Sequence, residues 1–435
     1  MFHRFSSFRS RGATARRLVK GFGANLLGKF WIAAVQLLLV PVLISAWGAD
    51  GYGAWLMLTT IPLYILLTDF GMGNALAVEL TRAITRKDEP MARRALQSVW
   101  VFMCLISGVV LMIALAAVLL WPTNPEVGPF PSSAYRIAIM LVVIEALAGL
   151  QQAVLRAVFH ATHRYALETF QQSFSIPASG VLVAIAASSG QGVVIAAAAS
   201  ALVRIAMVVA YGWQLARLEP WSRLGWAAAD RNTFRRLMSP SLSALTLSLS
   251  NALGVQGVLL TIGWTLGPAA AGIYGAARML TRIPLQFSGL LVRASLPELT
   301  RSQEAGNTEL TRRLVRLNMR LTLASALPVA FVLAIFGPYF LSLLSKGALV
   351  ADHLLFVFLG AAAAICTIWT TLSQPLVALN RQGEFAYIAV LCYGLVALQP
   401  LVLHQNLSFA AGCALLAEVT ILLVVFRRNT AGSRS

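Results

Sequence analysis

Charged side chains are scarce in this chain of 435 residues: Asp, Glu, Lys and Arg together make up 11% of it, whereas hydrophobic residues make up 58%. A soluble domain has about 25% charged residues. Apolar runs of about 18 residues or more, each long enough to cross a bilayer as a helix, recur along the whole sequence. The composition therefore excludes a soluble globular protein and predicts an all-α, multi-pass membrane protein.

Acidic residues are the scarcer charge, with 16 Asp and Glu against 34 Lys and Arg, so the formal net charge is +18. The basic residues lie mainly in short segments between apolar runs, which is the pattern that orients a membrane protein and not one of nucleic-acid binding. Loops on one side carry most of them, and the opposite loops have only Arg136 and Lys346. We therefore predict that both termini are cytoplasmic and that the protein has no nucleic-acid partner.

Cysteine is scarce as well, and there is no CxxC pair, which argues against a zinc site or a disulfide framework. All four cysteines lie inside apolar runs: Cys104, Cys366, Cys392 and Cys413. The sequence also has no GxxxxGK[ST] phosphate-binding loop. The loops predicted to face outward are too short for a folded catalytic domain. We therefore expect no cofactor, no metal and no enzymatic activity.

Twelve membrane spans are predicted, six in each half of the sequence. Because six is an even number, both halves enter the membrane in the same direction, and the halves form parallel repeats. The predicted lobes are residues 1–222 and 223–435. The spans are predicted near 20–46, 51–81, 95–121, 134–160, 166–188, 192–216, 236–265, 270–299, 313–344, 351–379, 384–403 and 407–426.

One segment occurs twice. Residues 52–63 read YGAWLMLTTIPL and residues 274–285 read YGAARMLTRIPL, so nine of twelve positions are identical at an offset of 222. At two positions where the first copy is uncharged, the second has Arg278 and Arg282. Side chains four residues apart lie on one face of a helix, and two forked guanidiniums suit a phosphate or pyrophosphate. The alternative is that these arginines pair with intramembrane acids.

Other charged residues also fall within predicted spans. Arg204 and Lys29 lie near the middle of spans 6 and 1, where they either extend a cationic cavity or pair with Glu145. Glu145 and Asp69, in spans 4 and 2, are candidates for ion coupling or for ion pairs. Glu418, in the last span, is interpreted as a structural contact.

Prolines occur at matching positions of the repeat. Pro62 and Pro284 are equivalent residues of the two copies, and prolines inside membrane helices are tolerated where the helix bends or lines a cavity. We interpret them as matched hinges for the movement of one lobe against the other. The alternative is a packing kink at each position.

The segment Gly48–Trp55, with the pattern G-x-x-G-Y-G-x-W, and the Asp69-Phe-Gly sequence in span 2 resemble a known family. Together with the six-plus-six repeat and the basic N-terminal segment, they are similar to the polysaccharide flippases. These belong to the multidrug/oligosaccharidyl-lipid/polysaccharide (MOP) exporter superfamily and include the O-antigen-type (Wzx-like) translocases.

The resemblance implies that the chain moves an undecaprenyl-pyrophosphate-linked oligosaccharide to the outer leaflet by alternating access, for O-antigen, exopolysaccharide or capsule synthesis. It implies a location in the bacterial inner membrane, ion-gradient coupling and a cationic lumen, and Arg278 and Arg282 match that last expectation. The implied partners are this glycolipid, membrane lipids, a polysaccharide polymerase and a chain-length regulator.

Two other functions occur among multi-pass membrane proteins, but each fits this sequence less well. An ion-coupled antiporter for drugs or organic cations has the same fold, but its substrates need an acidic or aromatic cavity. A membrane glycosyltransferase, ligase or polymerase needs a large external loop, which this sequence does not have. We rank the antiporter second and the enzyme third.

Overall fold

The structure is a computed structural model. It describes residues 3–120, 127–283, 307–378, 381, 383–403 and 406–432, with some residues between 285 and 303. Side chains are described from residue 31 onward, except at residues 239–244, 247, 378 and 429–432. Pro284 and the side chain of Lys29, both of which have predicted roles, lie outside the described part of the structure.

The described residues are almost entirely helical, and ten helical segments among them are long and apolar enough to cross a membrane. This confirms the predicted all-α membrane fold, while the count of twelve spans stays a prediction. The helices are α1 His3–Leu66, α2 Met72–Thr85, α3 Glu89–Leu120, α4 Ser132–Ala161, α5 Tyr165–Ser188, α6 Val193–Leu218, α7 Arg231–Ala252, α8 Val258–Leu266, α9 Pro268–Thr281, α10 Thr308–Leu344, α11 His353–Leu372, α12 Gln374–Ala378, α13 Gly383–Leu403 and α14 Leu407–Gly432.

The long helix α1 is kinked at Gly48, which has φ 73° and ψ −177°. Only glycine adopts this backbone conformation without strain, so the kink separates the predicted first and second spans. The second span is then interrupted by the 3₁₀ turn Leu67–Asp69, after which Phe70 and Gly71 have φ values of 51° and 77°. Pro62 lies inside α1, five residues before this interruption.

The chain forms two compact units. The first comprises residues 1–46, 68–124 and 132–241. In this unit α4 packs against α2, α3 and α6, and α5 packs against α6. The buried residues of α4 and α6 include many small ones, together with Leu150, Val154, Phe159 and Tyr211.

Within the first unit, the segment between α6 and α7 is fastened to α3 by side chains. The Gln97 amide donates to the carbonyl oxygen of Arg223 at 3.0 Å and accepts from the backbone N–H of Ala228 at 2.7 Å. The Ser98 hydroxyl accepts from the backbone N–H of Asp230 at 2.8 Å. The carboxylate of Asp230 caps α7 by accepting from the N–H and hydroxyl of Thr233, and these hydrogen bonds lower the pKa of Asp230.

The second unit comprises residues 47–67, 125–131 and 242–435. It therefore includes the part of α1 that follows the first unit, from Trp47 onward. In this unit α9 packs against α8, α10 and α11, while α11 and α13 pack against α14. A π-helix, Leu253–Gly257, connects α7 to α8 and contacts α13. The lobes predicted at 1–222 and 223–435 describe the repeat and stay a prediction.

Candidate functional site

The two copies of the repeated segment contact each other inside the second unit. A Cβ added at Gly53 would lie 1.6 Å from the carbonyl oxygen of Pro268, so the backbones of α1 and α9 touch there. Gly275, the repeat equivalent of Gly53, is packed against the side chain of Leu56. The equivalent residues Tyr52 and Tyr274 are both buried. The small residues of the YGA sequence therefore allow this close packing.

Arg278 lies on α9, and its side chain is part-buried. Its guanidinium donates a hydrogen bond to the carbonyl oxygen of Val255 in the π-helix. It also lies over the ring of Tyr274, with 5.5 Å between Cζ and the ring centroid, and interacts electrostatically with Tyr52. A π-helix leaves carbonyl groups without their α-helical partners and is frequent at functional sites. Arg278 is thus oriented by a backbone carbonyl and two tyrosines.

Arg282 follows the last residue of α9, and its charge acts on a buried polar cluster. The centre of that cluster is Glu418 on α14, which is 6% exposed. Its Oε2 accepts from Trp369 Nε1 at 2.6 Å, and its Oε1 accepts from Tyr393 Oη at 2.9 Å. Arg282 and Cys366 also interact with the Glu418 carboxyl group. The hydrogen-bonded helix contact predicted for Glu418 is therefore present.

Arg204 belongs to the first unit, where α6 places it beside α4. Its Nη1 donates to Oε1 of Gln152 at 2.8 Å, and its Nη2 lies 3.8 Å from Oε1 of Glu145. The two side chains of the ion pair are 28% and 17% exposed. Of the alternatives predicted for Arg204, the structure shows pairing with Glu145, and a role toward substrate stays a prediction.

Asp69 is found at the interruption that follows α1, also in the first unit. Its Oδ1 accepts from the backbone N–H of Gly71 at 2.7 Å, so the carboxylate stabilises the left-handed turn. Arg156 on α4 interacts with it electrostatically. The coupling role predicted for Asp69 is untested, but its contacts explain why an acid follows Leu67–Thr68.

The structure thus brings Arg278 and Arg282 together with polar groups of the second unit, and Arg204 together with Glu145 in the first. Sequence analysis did not select Tyr393 or Gln152. They contact the charged residues from other helices, at separations of 25 and 52 residues. The available signal was their polarity within long apolar runs, which does not identify a partner.

Solved structures share this fold. An inward-facing multidrug resistance MATE family transporter of the MOP superfamily has a TM-score of 0.73 at 12% identity, covering 93% of this chain and 96% of the other. The lipid II flippase MurJ, in an inward closed conformation, has a TM-score of 0.72 at 12% identity, covering 93% and 87%. A MOP superfamily transporter from Pyrococcus furiosus, described as having a binding pocket of reverse polarity, has a TM-score of 0.64 at 13% identity, covering 95% and 96%.

These likenesses confirm the MOP-type fold of the chain. No curated protein matches its sequence. Residues 18–303 do match a family, which is described as polysaccharide biosynthesis protein. Because that match covers well over half of the chain, it confirms the resemblance drawn from the motifs: the chain belongs to the polysaccharide biosynthesis protein family of MOP-fold membrane proteins.

Proposed function

We propose that the chain is a flippase for a polyprenyl-pyrophosphate-linked oligosaccharide in the bacterial inner membrane. The observation that carries this proposal is a pair of arginines, Arg278 on α9 and Arg282 directly after it, in a chain that belongs to the polysaccharide biosynthesis family. Both arginines are in the second copy of a segment whose first copy is uncharged at the same positions. The second copy therefore carries two positive charges in a segment that otherwise largely repeats the first.

A pyrophosphate carries charge that the hydrocarbon of a bilayer does not solvate, so its unaided crossing is prohibitively costly. Guanidinium groups compensate that charge and form forked hydrogen bonds with phosphate oxygens. Arg278 and Arg282 are the residues we assign to the pyrophosphate. Arg204 and Lys29 are assigned to the anionic path, with Pro62 and Pro284 as hinges of an alternating-access movement.

The main alternative is an antiporter for organic cations, since a multidrug transporter shares the fold. Such a substrate needs acidic groups that are not already neutralised. In the described structure, Glu145 interacts with Arg204, Asp69 with Arg156 and Glu418 with Arg282. The intramembrane cations Lys29, Arg204, Arg278 and Arg282 outnumber these three acids, and two of the cations are four residues apart, which supports an anionic substrate over a cationic one.

The proposed cellular setting follows from the charge pattern and the family. Both termini are cytoplasmic, and the glycolipid is loaded from the inner leaflet and released to the outer one. The product serves O-antigen, exopolysaccharide or capsule synthesis. A polymerase and a chain-length regulator then act on the translocated repeat, and the chain itself catalyses no covalent step.

Replacement of both arginines tests this proposal. Arg278→Ala combined with Arg282→Ala should abolish export of the surface glycan while the protein remains in the membrane. The matched control is Arg312→Ala combined with Arg316→Ala, because these arginines have the same spacing but are exposed on α10. Unimpaired export by the Arg278→Ala, Arg282→Ala variant would remove the pyrophosphate assignment.

A further inference from the structure

The segment between α6 and α7, residues 219–230, has no task in the translocation scheme above. We propose that it is a docking surface for anionic phospholipid headgroups at the membrane boundary. Leu224 and Trp226 enter the layer between headgroups and acyl chains, and Arg223 and Arg231 bind the headgroup phosphates. The inference is independent of the substrate that the protein moves.

One side chain of α3 holds both ends of a short loop in this segment. The amide of Gln97, which is buried, donates to the carbonyl oxygen of Arg223 and accepts from the backbone N–H of Ala228. A Cβ added at Gly225 would lie 3.4 Å from Nε2 of Gln97, so the loop lies against this amide. The conformation of residues 223–228 is thus fixed before any ligand binds. An ordered loop loses less conformational entropy on binding than a mobile one.

The apolar side chains of this loop are exposed. Trp226 is 76% exposed and Leu224 is 37% exposed, although both lie between the two backbone groups that Gln97 holds. An indole ring is apolar with one polar N–H, and tryptophan is enriched where a membrane meets water. The loop therefore presents the side chains that are typical of a segment lying in the membrane interface.

The position of the loop along its neighbouring helices places it at a membrane surface. Both α3 and α6 are long and apolar enough to cross a membrane. In α3, no charged residue follows Arg94, and Gln97 is about 4.5 Å further along the helix axis. In α6, the last charged residue is Arg217, one position before the helix ends at Leu218. The loop therefore lies where the apolar run of each helix meets its charged end.

The arginines beside the loop are available to a ligand. The side chains of Arg223, Arg231 and Arg235 are exposed, and within the described part of the chain they make no hydrogen bond or ion pair. Both acids of the segment have partners of their own. Glu219 pairs with an arginine at 3.2 Å, and Asp230 caps α7. The remaining charge is therefore positive, and a phosphate group is its complement.

A phospholipid satisfies both parts of this surface, whereas a soluble phosphate satisfies the arginines alone. The end of α6 repeats the same combination of side chains. Trp213 is 56% exposed, and Cζ of Arg217 lies 4.0 Å from the centroid of its ring. Exposed indoles next to guanidiniums thus occur on both sides of residue 218, which favours a lipid surface as the partner.

Quenching of Trp226 fluorescence by brominated phospholipids tests the docking surface. The purified full-length protein would be reconstituted into phosphatidylcholine vesicles. A small fraction of the lipid would carry brominated acyl chains, as either phosphatidylglycerol or phosphatidylcholine. The contribution of Trp226 is the difference between the wild type and Trp226→Phe. Brominated phosphatidylglycerol should quench it more strongly at the same mole fraction, because each arginine should favour the anionic headgroup by about fivefold.

Two variants and one change of conditions isolate the role of charge. Arg223→Gln combined with Arg231→Gln should remove most of the preference and retain quenching by brominated phosphatidylcholine, since the apolar contact remains. High salt should weaken the preference of the wild type, because it screens exposed charges. The matched control is Trp264→Phe: Trp264 is 73% exposed, with no Lys or Arg within ten positions. The contribution of Trp264 should be quenched equally by both lipids.

Equal quenching of Trp226 by the two lipids would overturn the proposal, as would a preference that survives in the double arginine variant. Absence of quenching by either lipid would place Trp226 in water and would also overturn it. Inorganic phosphate, added at constant ionic strength, distinguishes the two sources of a phosphate group. A preference that persists in phosphate supports lipid docking, and one that phosphate abolishes would assign the arginines to a soluble anion instead.

Discussion

Trp369 Nε1 lies 2.6 Å from Oε2 of Glu418, and both side chains are buried. An indole donor lost at such a site leaves a buried oxygen without its partner, which costs about 1–3 kcal/mol. Trp369→Phe should therefore destabilise the protein by at least this amount, measured as its unfolding midpoint in detergent. Trp264→Phe is the control, because Trp264 is 73% exposed. Equal losses in the two variants would show that the hydrogen bond adds nothing to stability.

The Arg204–Glu145 pair should behave as one unit in a double-mutant cycle. Removal of either partner leaves a partly buried charge uncompensated, whereas removal of both does not. Arg204→Gln and Glu145→Gln should each lower stability, and the double variant should lose about 1 kcal/mol less than the sum of the single losses. Thermal unfolding of the four proteins provides the measurement, and strictly additive losses would contradict the pairing.

Substitution of Gly53 tests the contact between the repeat copies. A methyl group there would lie 1.6 Å from the carbonyl oxygen of Pro268, so the α1 and α9 backbones must separate. Gly53→Ala should cost about 2 kcal/mol or more. Gly212→Ala is the control, because nothing lies within 4 Å of its added Cβ, inside α6. Alanine should stabilise that helix by up to about 1 kcal/mol, and the opposite signs distinguish packing from helix propensity.

Arg278→Lys separates charge from geometry at the proposed pyrophosphate site. Lysine keeps the positive charge but lacks the planar fork and its stacking on Tyr274. Glycan export should fall by roughly fivefold to tenfold, corresponding to about 1 kcal/mol of lost interaction. The rate of appearance of surface glycan, normalised to protein in the membrane, is the measurement. A wild-type rate would show that charge alone suffices at this position.

Much of the fold could be predicted from sequence, because hydropathy and length determine where a membrane helix can form. The predicted second span, residues 51–81, is divided in the structure, because α1 ends at Leu66 and α2 begins at Met72. Asp69 and Gly71 end the helix with a side-chain hydrogen bond and a left-handed turn, and neither changes the apolar character of the segment. Pro62, the more obvious helix breaker, lies within α1.

The polar contacts were harder to predict than the helices. Duplication of the sequence identified Arg278 and Arg282, since their uncharged counterparts are in the same chain. Glu418 and Tyr393 come from different helices, and their contact depends on the rotation of each helix about its axis. The long apolar runs do not specify that rotation, so the contact between Glu418 and Tyr393 could not be predicted.

We propose that this chain moves a lipid-linked glycan to the outer leaflet. The most direct measurement is the location of that glycolipid in spheroplasts of a strain lacking the gene, by leaflet-specific labelling or enzymatic digestion. We expect glycolipid confined to the cytoplasmic face, restored to the outer face by the wild type and not by the Arg278→Ala, Arg282→Ala variant. Glycolipid exposed normally on the outer face in the absence of the gene would contradict it.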